Sequence, residues 1–593
     1  MLYSYNIRIL LLIICYNLII SLLLYVLTMT SITAKKIKGH TYYYARQSKR
    51  INGKPKIVWQ KYLGRAEDVL AAFDHQPKPQ EILVHEFGVI AALYDIACQL
   101  NLVHHIDQHV PKRGASVSVG TYLLIAILNR CVAPCSKNSI ADWYASTILP
   151  RLLGVDASQL TSQRFWDNMD RIPRTAMVQI ERDIVSHMVR HFNIDVRQLL
   201  FDATNFFTYI DSFNQRSTLA QRGHSKEGRK SLRIVGLALL AACDHHVPIL
   251  HRTYPGNQHD SPTFRSLVDA LVARFNDLAE DQDIEVTLVF DKGNNCADNL
   301  AAVQDSPYHV IGSLVPTHHP DLLAVPTRRF KPLDELEGVS VWRTTKTVYG
   351  IEYTIVVVRN RNLQDAQTAT LLREIATRRR RLQQLQLRLR RWQQGIIRQG
   401  RPPTLASIRR QVNECLKARH MNDLFQVTVE AGDNNIPSLR YRFDRQAWNR
   451  LQNTLLGKNL IFTDRSDWSD TDIVRGYRAQ HHVERAFRDL KDARHIAIRP
   501  QYHWTDQKIE VHVFCCVLAL MLQTLLYRQI AHQGQTLSCH QLLDELARIK
   551  ELGVVYPATQ KQSAPQIQMM LSSMSETQQM LYQTLHLEQY RAS

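Results

Sequence analysis

Two apolar runs in this chain end in an aspartate, and each predicts a buried strand. The first occupies residues 197–202 and ends at Asp202, where small and polar residues follow. The second occupies residues 284–291 and ends at Asp291, before a Lys-Gly-Asn-Asn segment. Short apolar runs bounded by polar residues are typical of buried strands. Most aspartates in such places only form turns, but a strand end is also a rigid support for a metal ligand. Two of them together suggest a third carboxylate elsewhere in the chain.

The pattern around these runs predicts an α/β core in residues 196–315. After Asp202 the predicted elements, in chain order, are strands at residues 232–240 and 246–254, a helix at 264–275, the strand that ends at Asp291, a helix at 297–304 and a strand at 308–314. The order is therefore three strands, helix, strand, helix, strand. This is the order of a ribonuclease H-like core, with the first carboxylate on the first strand and the second at the end of the fourth.

Residues 87–195 have a helical pattern instead. Apolar positions recur at helical spacing in residues 89–97, 122–128 and 176–185. We expect a mostly helical module before the first aspartate. Its pattern suits DNA binding and dimerisation equally well.

Residues 316–470 interrupt the core pattern. Strand-like runs at residues 341–345, 352–358 and 425–430 predict a β-rich insertion, and residues 371–420 add a basic helical hairpin. Four arginines at residues 378–381 lie on its first helix, and the Gly-Arg-Pro-Pro turn at 400–403 reverses the chain. Arginine blocks on a long helix usually form a solvated face, and contact with phosphates is the alternative.

A third carboxylate, Glu484, lies in an amphipathic segment that predicts one helix over residues 469–492. Its apolar stripe is formed by Val483, Ala486, Phe487 and Leu490. Tyr477, Glu484 and Lys491 are seven residues apart and follow one line beside that stripe, with Gln480 close by. On periodicity alone, an exposed row of ion pairs explains this line as well as an active site does. We expect residues 471–535 to complete the core and residues 536–593 to form a helical tail.

The charge of the chain changes this picture. Of its 593 residues, 73 are Lys or Arg and 54 are Asp or Glu, which gives a net charge of +19. Such an excess favours a polyanionic partner, and a basic protein without one is the alternative. The ten cysteines lack paired C-x2-C spacing, so we expect reduced thiols and no zinc site or disulfide framework.

The first 86 residues contain two further features. Residues 9–27 are uncharged and long enough to span a bilayer as a helix. We favour an extension of residues 1–28 ahead of the true start at Met29, and a membrane anchor is the competing interpretation. Residues 29–86 predict a basic β-hairpin with strands at 40–48 and 54–64, joined by Asn52 and Gly53. Such a hairpin either lies on a phosphate backbone or caps a domain.

Together, Asp202, Asp291 and the Tyr477, Glu484, Lys491 spacing resemble the signature of DDE transposases of bacterial insertion sequences. The resemblance is to the branch with a β-rich insertion and the pattern Y-x2-R-x3-E-x6-K, in which Gln480 stands here in place of the arginine. Further similarity occurs in residues 222–230, 291–295 and 499–504, and it extends over residues 36–530.

The resemblance implies catalysis by Asp202, Asp291 and Glu484. These would hold two Mg²⁺ ions, with Mn²⁺ as the substitute, for DNA cleavage at the element ends and strand transfer into target DNA. It implies that the DNA contacts come from Tyr477, Gln480, Lys491, Arg485, Lys292, Trp448 and Trp468. The two tryptophans are candidates for stacking a displaced base, and packing inside the insertion is their alternative role. The implied partners are the inverted repeats and target, bound as double-stranded DNA by a homodimer in the cytoplasm at the nucleoid; a membrane is not expected.

Three other functions compete with this one. A ribonuclease H-like nuclease or resolvase would use the same three carboxylates without strand transfer. A regulator derived from a transposase would bind DNA with its catalysis lost, although it would have no need of the three carboxylates. A membrane-anchored protein would require that residues 1–28 are translated.

Overall fold

The computed structural model describes residues 29–51, 54–74, 78–111, 114, 117–229, 231–258, 266, 268–270, 285–557 and 565–592. The apolar segment at 1–28, the turn at Asn52 and Gly53, and most of the predicted helix at 264–275 lie outside these ranges. The chain forms two compact units. One comprises Met1–Val84, Leu552–Leu571 and Ala592–Ser593, and the other comprises His85–Glu551 and Ser572–Arg591.

The first unit contains a basic antiparallel sheet. Its strands are β1 (Met29–Ile37), β2 (His40–Ile51) and β3 (Lys54–Gly64), and helix α1 (Ala66–Asp74) follows. The pairing of Ile51 with Lys54 confirms the predicted hairpin, and β1 is an additional strand that the sequence pattern did not predict. A second three-stranded sheet is formed by β4 (Glu81–Glu86), β16 (Lys550–Tyr556) and β17 (Gln566–Leu571).

The second unit begins with the predicted helical module. Its helices are α2 (Gly88–Gln99), α3 (Leu102–His109), α4 (Val119–Val132), α5 (Ile140–Ala145), α6 (Leu149–Leu153), α7 (Ser162–Asp170) and α8 (Arg174–His191). Most of α4 is buried, as its apolar composition requires, and Ser118 caps it by accepting a hydrogen bond from the Thr121 N–H. The helical pattern of residues 87–195 is therefore confirmed.

A nine-stranded mixed sheet is the centre of the second unit. The strands of its first part are β5 (Gln198–Phe207), β6 (Ile234–Ala242), β7 (Pro248–Pro255), β8 (Thr287–Phe290) and β9 (His309–Leu314). They lie in the order β7-β6-β5-β8-β9; β5, β6 and β7 pair antiparallel, while β8 runs parallel to both β5 and β9. All nine residues of β6 are buried, as expected for an apolar run covered on both faces. Between β8 and β9 the chain forms α9 (Ala297–Gln304).

The predicted β-rich insertion at residues 316–470 is divided between two places. The strands β10 (Lys331–Pro332), β11 (Val339–Val348), β12 (Ile351–Asn360) and β15 (Lys458–Thr463) extend the central sheet beyond β9, in the order β10-β11-β12-β15-β9. A short helix, α10 (Pro320–Leu323), precedes them. The prediction of one separate β-rich domain therefore does not describe this region, because strand patterns do not show which sheet a strand joins.

The remainder of residues 316–470 forms a separate cluster around a helical hairpin. Its elements are α11 (Arg361–Gln393), α12 (Leu405–Leu416), α13 (Met421–Leu424), β13 (Phe425–Glu430), β14 (Ser438–Phe443) and α14 (Arg445–Thr454). The strands β13 and β14 pair with each other, and Ile375, Leu382 and Leu389 of α11 are buried in the core of the cluster. The predicted basic helical hairpin is thus present, with a first helix of 33 residues.

Helices complete the second unit. The single helix predicted over residues 469–492 is two helices, α15 (Asp470–Arg478) and α16 (His481–Leu490), which are separated at Ala479 and Gln480. They are followed by α17 (Asp506–His532), α18 (Cys539–Ala547) and α19 (Glu576–Thr584). The C-terminal region is helical only in part, since β16 and β17 also lie within it.

Within the described ranges, α17 is long and apolar enough to cross a membrane by length and composition, and the bent pair α2 and α3 passes the same test. However, α17 is a core helix here. It packs against α2, α4 and β7, and most of its apolar residues are buried.

Candidate active site

Asp202 and Asp291 lie side by side in the central sheet. Strands β5 and β8 are parallel, and Phe201 is paired with Phe290. The next residue of each strand is therefore the aspartate, at the point where β8 ends and β5 continues along β6 alone. Side chains alternate along a strand, so Asp202 faces away from the buried Phe201 and is only partly exposed.

Glu484 comes to the same place from α16, which packs against β5 and β6. Its side chain is exposed in the first turn of the helix. The three carboxylates influence one another electrostatically. Burial raises the pKa of Asp202 to about 6; the Ala203 N–H and Lys226 oppose this rise, and the charges of Asp291 and Glu484 add to it.

The three carboxylates do not form a compact cluster of ligands for a single ion. Within the described part of the chain, they do not bring one ligand oxygen each to within 4.8 Å of one another.

Asp291 is oriented by a backbone N–H and by the side chain of Ser313, which Tyr477 contacts in turn. The Lys292 N–H donates to its Oδ1 at 2.7 Å, and Ser313 Oγ approaches the same oxygen at 3.5 Å. The Tyr477 hydroxyl donates to Ser313 Oγ at 2.8 Å. Burial raises the pKa of Tyr477, and Asp291 and Glu484 raise it further, so its hydroxyl stays protonated as a donor. Tyr477 therefore lies at the site, and its predicted contact with DNA stays a prediction. Ser313 is a residue that the sequence pattern missed.

Asn295, in the loop after Asp291, has a side-chain oxygen that could act as a metal ligand. Asn295 Nδ2 donates to the Ser313 carbonyl at 2.6 Å. Its Oδ1 is buried and has no hydrogen-bond partner among the described residues, although a buried amide oxygen normally has one. Carboxylate and amide oxygens are ligands of the kind that Mg²⁺ and Mn²⁺ prefer, so the chemistry of these side chains fits a hard divalent cation.

Lys491 connects the end of α16 to β5. Its Nζ donates to Thr204 Oγ1 at 2.8 Å and to the Asn205 carbonyl at 2.9 Å, and it lies 3.2 Å from Glu227 Oε1. Burial lowers the pKa of Lys491, and Glu227 opposes this effect. Lys491 is therefore engaged by the protein itself, and its predicted contact with DNA stays a prediction.

Three charged residues beside Lys491 were missed as site residues. Glu227 also pairs with Arg499 at 3.2 Å, and Lys226 donates to the Ala203 carbonyl at 2.5 Å, next to Asp202. All three belong to segments whose similarity to the transposase pattern was noted, at residues 222–230 and 499–504. That similarity was the available signal, but periodicity alone assigned no role to loop residues.

The structure places the remaining predicted DNA-contact residues as follows. Gln480 is buried at the break between α15 and α16, and Lys292 is exposed directly after Asp291. Arg485 is half-buried. Burial lowers the pKa of the nearby His482 to about 4, and the neighbouring histidines and Arg485 add to this decrease. The contacts of these residues with DNA stay predictions.

Both predicted tryptophans pack against protein. Trp448 lies against the core of the hairpin cluster, with its ring centroid 6.4 Å from that of Phe443. Trp468 is half-buried, and the Arg465 guanidinium lies 5.0 Å from its ring centroid. These environments correspond to the alternative role of packing, and stacking on a displaced base stays a prediction.

A second group of possible metal ligands lies elsewhere in the same unit. Three ligand atoms lie within 4.8 Å of one another here, one each from Asp244, His245 and His532. However, both Asp244 oxygens are engaged, one with His245 Nδ1 and the other with Arg528 Nε, each at 2.7 Å. Burial raises the pKa of Asp244, but these two partners outweigh burial and hold the pKa at about 2. The group is explained as an ion-pair network that joins the β6–β7 turn to α17.

A comparison with solved structures gives a distant likeness. No family model matches the chain, and no curated protein matches it. The structure is similar to that of a piggyBac transposase synaptic complex with hairpin DNA, with 8% sequence identity over 78% of this chain and 80% of that chain and a TM-score of 0.33.

Proposed function

We propose that this protein is a DDE transposase of an insertion sequence, which cuts DNA at the element ends and joins the freed 3′ ends to target DNA. The observation that carries this proposal is the meeting of Asp202, Asp291 and Glu484. They are far apart in the chain, yet Asp291 and Glu484 both raise the pKa of Asp202. A carboxylate whose pKa is perturbed by burial and by nearby like charges is typical of a functional site.

The arrangement of the central sheet supports the proposed ribonuclease H-like core. Its first three strands in chain order are antiparallel, and the fourth and fifth add in parallel on the other side of the first. The first aspartate lies on β5 and the second follows β8, as the sequence pattern predicts. A helix packed over β5 and β6 brings the third carboxylate.

The three carboxylates would hold two Mg²⁺ ions, or Mn²⁺ as the substitute. Bound ions of this kind activate a water or a 3′-hydroxyl and stabilise the leaving oxygen. The protein would contribute orientation. Tyr477 fixes Asp291 through Ser313, and Lys491 fixes the end of the helix that carries Glu484. No covalent bond between protein and DNA is required, because the nucleophile is water or the DNA itself.

The proposed partner is double-stranded DNA, as inverted repeats and as target. The net charge of +19 supports a polyanionic partner. Because two element ends must be brought together for transposition, we propose at least a homodimer on DNA. Its proposed place of action is the nucleoid in the cytoplasm.

An excision assay tests this function. A plasmid carries a marker between the inverted repeats that border this gene, and the full-length protein is added with Mg²⁺. We expect excision that is abolished by Asp202→Ala, Asp291→Ala and Glu484→Gln, while the exposed Asp334→Asn control remains active. Excision that survives all three active-site changes would remove the proposal.

The products of the same assay separate the competing functions. Cleavage without joining would indicate a nuclease or resolvase. Binding to the repeats without cleavage would indicate a regulator. Both outcomes overturn the transposase proposal and leave DNA as the partner.

A further inference from the structure

The helical hairpin of α11 and α12 carries more than half of the net charge of the chain. Residues 375–413 contain eleven arginines and no lysine, aspartate or glutamate, in a chain whose net charge is +19. Surface helices usually intersperse both signs, because like charges on neighbouring turns repel one another. An uncompensated block of this size on an ordered helix therefore calls for an anion outside the hairpin.

The packing of α11 directs part of this charge outward. Its buried and half-buried positions follow a spacing of three and four residues, and they are Leu371, Ile375, Arg378, Leu382, Leu385, Leu389 and Trp392. With 3.6 residues per turn, Arg373, Arg380 and Arg391 lie opposite this stripe, and Arg381 and Arg388 lie to one side of it; all five are exposed. We call these five residues the arginine face.

The arginine face is not neutralised by the protein. Two arginines outside it are engaged within the hairpin cluster: Arg378 pairs with Glu374 at 2.7 Å, and Arg379 lies 5.8 Å from the ring centroid of Phe443. Among the described residues, no carboxylate pairs with an arginine of the arginine face. From Arg373 to Arg391 the face extends for about 27 Å along the helix, at 1.5 Å per residue.

We propose that the arginine face binds the sugar–phosphate backbone of double-stranded DNA. The length of the arginine face, about 27 Å, corresponds to about eight base pairs at 3.4 Å each. Guanidinium groups bind phosphate oxygens in a planar, two-pronged geometry. The exposed residues between the arginines include Gln383 and Gln384, which are further hydrogen-bond donors to a polar backbone.

A lipid surface fits α11 poorly. A helix that lies on a membrane must bury its apolar face among the lipids. Here that face is already covered by α12, β13 and β14, and the opposite side presents mainly arginine and glutamine, with Leu387 as an exposed apolar side chain among them. The hairpin is therefore suited to a polyanion that is contacted mainly through charge.

This inference rests on the proposed function for the identity of the polyanion, and it is tested separately from catalysis. Binding of the full-length protein to a short labelled duplex is measured by fluorescence anisotropy over a range of salt concentrations. When all five arginines of the arginine face become glutamine, we expect the slope of log K against log salt to become less negative by about 4.5, at 0.9 per phosphate contact. A variant with lysine at the same five positions is the matched control and should keep the slope, because it keeps the charge.

A smaller variant guards against misfolding. In the double variant Arg380→Gln with Arg391→Gln, the slope should become less negative by about 1.8. The melting temperature of this variant in low salt should not fall, because the two substitutions remove only repulsion between like charges. An unchanged slope in both glutamine variants would overturn the inference, as would equal losses in the glutamine and lysine variants. If the variant with five glutamines keeps its duplex binding but loses its binding to polyglutamate, the partner of the arginine face is an acidic protein, and the inference is overturned.

The two proposals fail in different ways. If Glu484→Gln leaves DNA cleavage intact while the arginine variants lose the salt dependence, the proposed function fails and this inference stands. If cleavage requires Glu484 but the arginine variants bind as the wild type does, this inference fails and the proposed function stands.

Discussion

Replacing Asp202 with asparagine should stabilise the protein at neutral pH while it abolishes activity. Burial raises the pKa of Asp202 from 3.8 to about 6, and the neighbouring Asp291 and Glu484 contribute to the rise. The folded state therefore binds a proton more tightly than the unfolded state does. Asparagine has nearly the same shape, and its Oδ1 can still accept the hydrogen bond that the Ala203 N–H donates to Asp202 at 2.7 Å.

The sign and size of this effect follow from proton linkage. The folded pKa is the higher one, so the stability of the wild type falls as the pH rises from about 4 to about 6, and the loss is complete above pH 6. A shift of about 2 units corresponds to about 3 kcal/mol at 1.36 kcal/mol per unit. The asparagine side chain has no proton to lose, so the Asp202→Asn variant should be more stable than the wild type by up to about 3 kcal/mol at pH 7 and equally stable at pH 4.

The assay is urea unfolding of both proteins in metal-free buffer between pH 4 and pH 8. The exposed Asp334→Asn substitution is the control and should show no such dependence on pH. Added Mg²⁺ should raise the stability of the wild type at pH 7 and have little effect on the Asp202→Asn variant, because binding to the folded state is linked to its stability. A difference between variant and wild type that does not change with pH, or a variant less stable than the wild type at pH 7, would refute this reasoning.

Four further outcomes are expected. Tyr477→Phe should reduce cleavage about fivefold with the fold retained in circular dichroism, because Ser313 loses a hydrogen-bond donor worth about 1 kcal/mol; full cleavage at limiting Mg²⁺ would contradict the orienting role. Lys491→Met should lower the free energy of unfolding by about 2 kcal/mol, since Thr204 and Glu227 lose a charged hydrogen-bond partner while Arg499 still pairs with Glu227, and Lys491→Arg should lower it less. Leu382→Ala, in the core of the hairpin cluster, should cost about 2–5 kcal/mol in urea unfolding and leave metal binding unchanged. Removal of divalent ions with EDTA should stop cleavage, and Mn²⁺ should restore it; activity that persists in EDTA would exclude the proposed chemistry.

Several features could be predicted from the sequence because they are local. Apolar runs ending at Asp202 and Asp291 predicted two strands, and both aspartates do stand beside each other where β8 ends. Helical spacing predicted the module at residues 87–195 and placed Glu484 on a helix with an apolar stripe. Periodicity reports which side of an element is buried, and that information is contained in neighbouring residues.

Other features depended on partners far away in the chain. The strands β11, β12 and β15 extend the central sheet, although their pattern alone suggested a separate domain. The break at Ala479 and Gln480 also escaped prediction, because residues on both sides have the same helical periodicity. Strand pairing is non-local, so only the folded chain decides which strands become neighbours.

From the sequence by itself it was possible to identify the three carboxylates, to predict the strands and the helix that carry them, and to recognise the block of arginines. Tertiary structure alone decided that Ser313 joins Tyr477 to Asp291 and that Lys491 is held by β5 and Glu227. The physical reason is that a side chain's type and spacing are written in the chain, whereas its burial and its partner arise only when distant segments pack together.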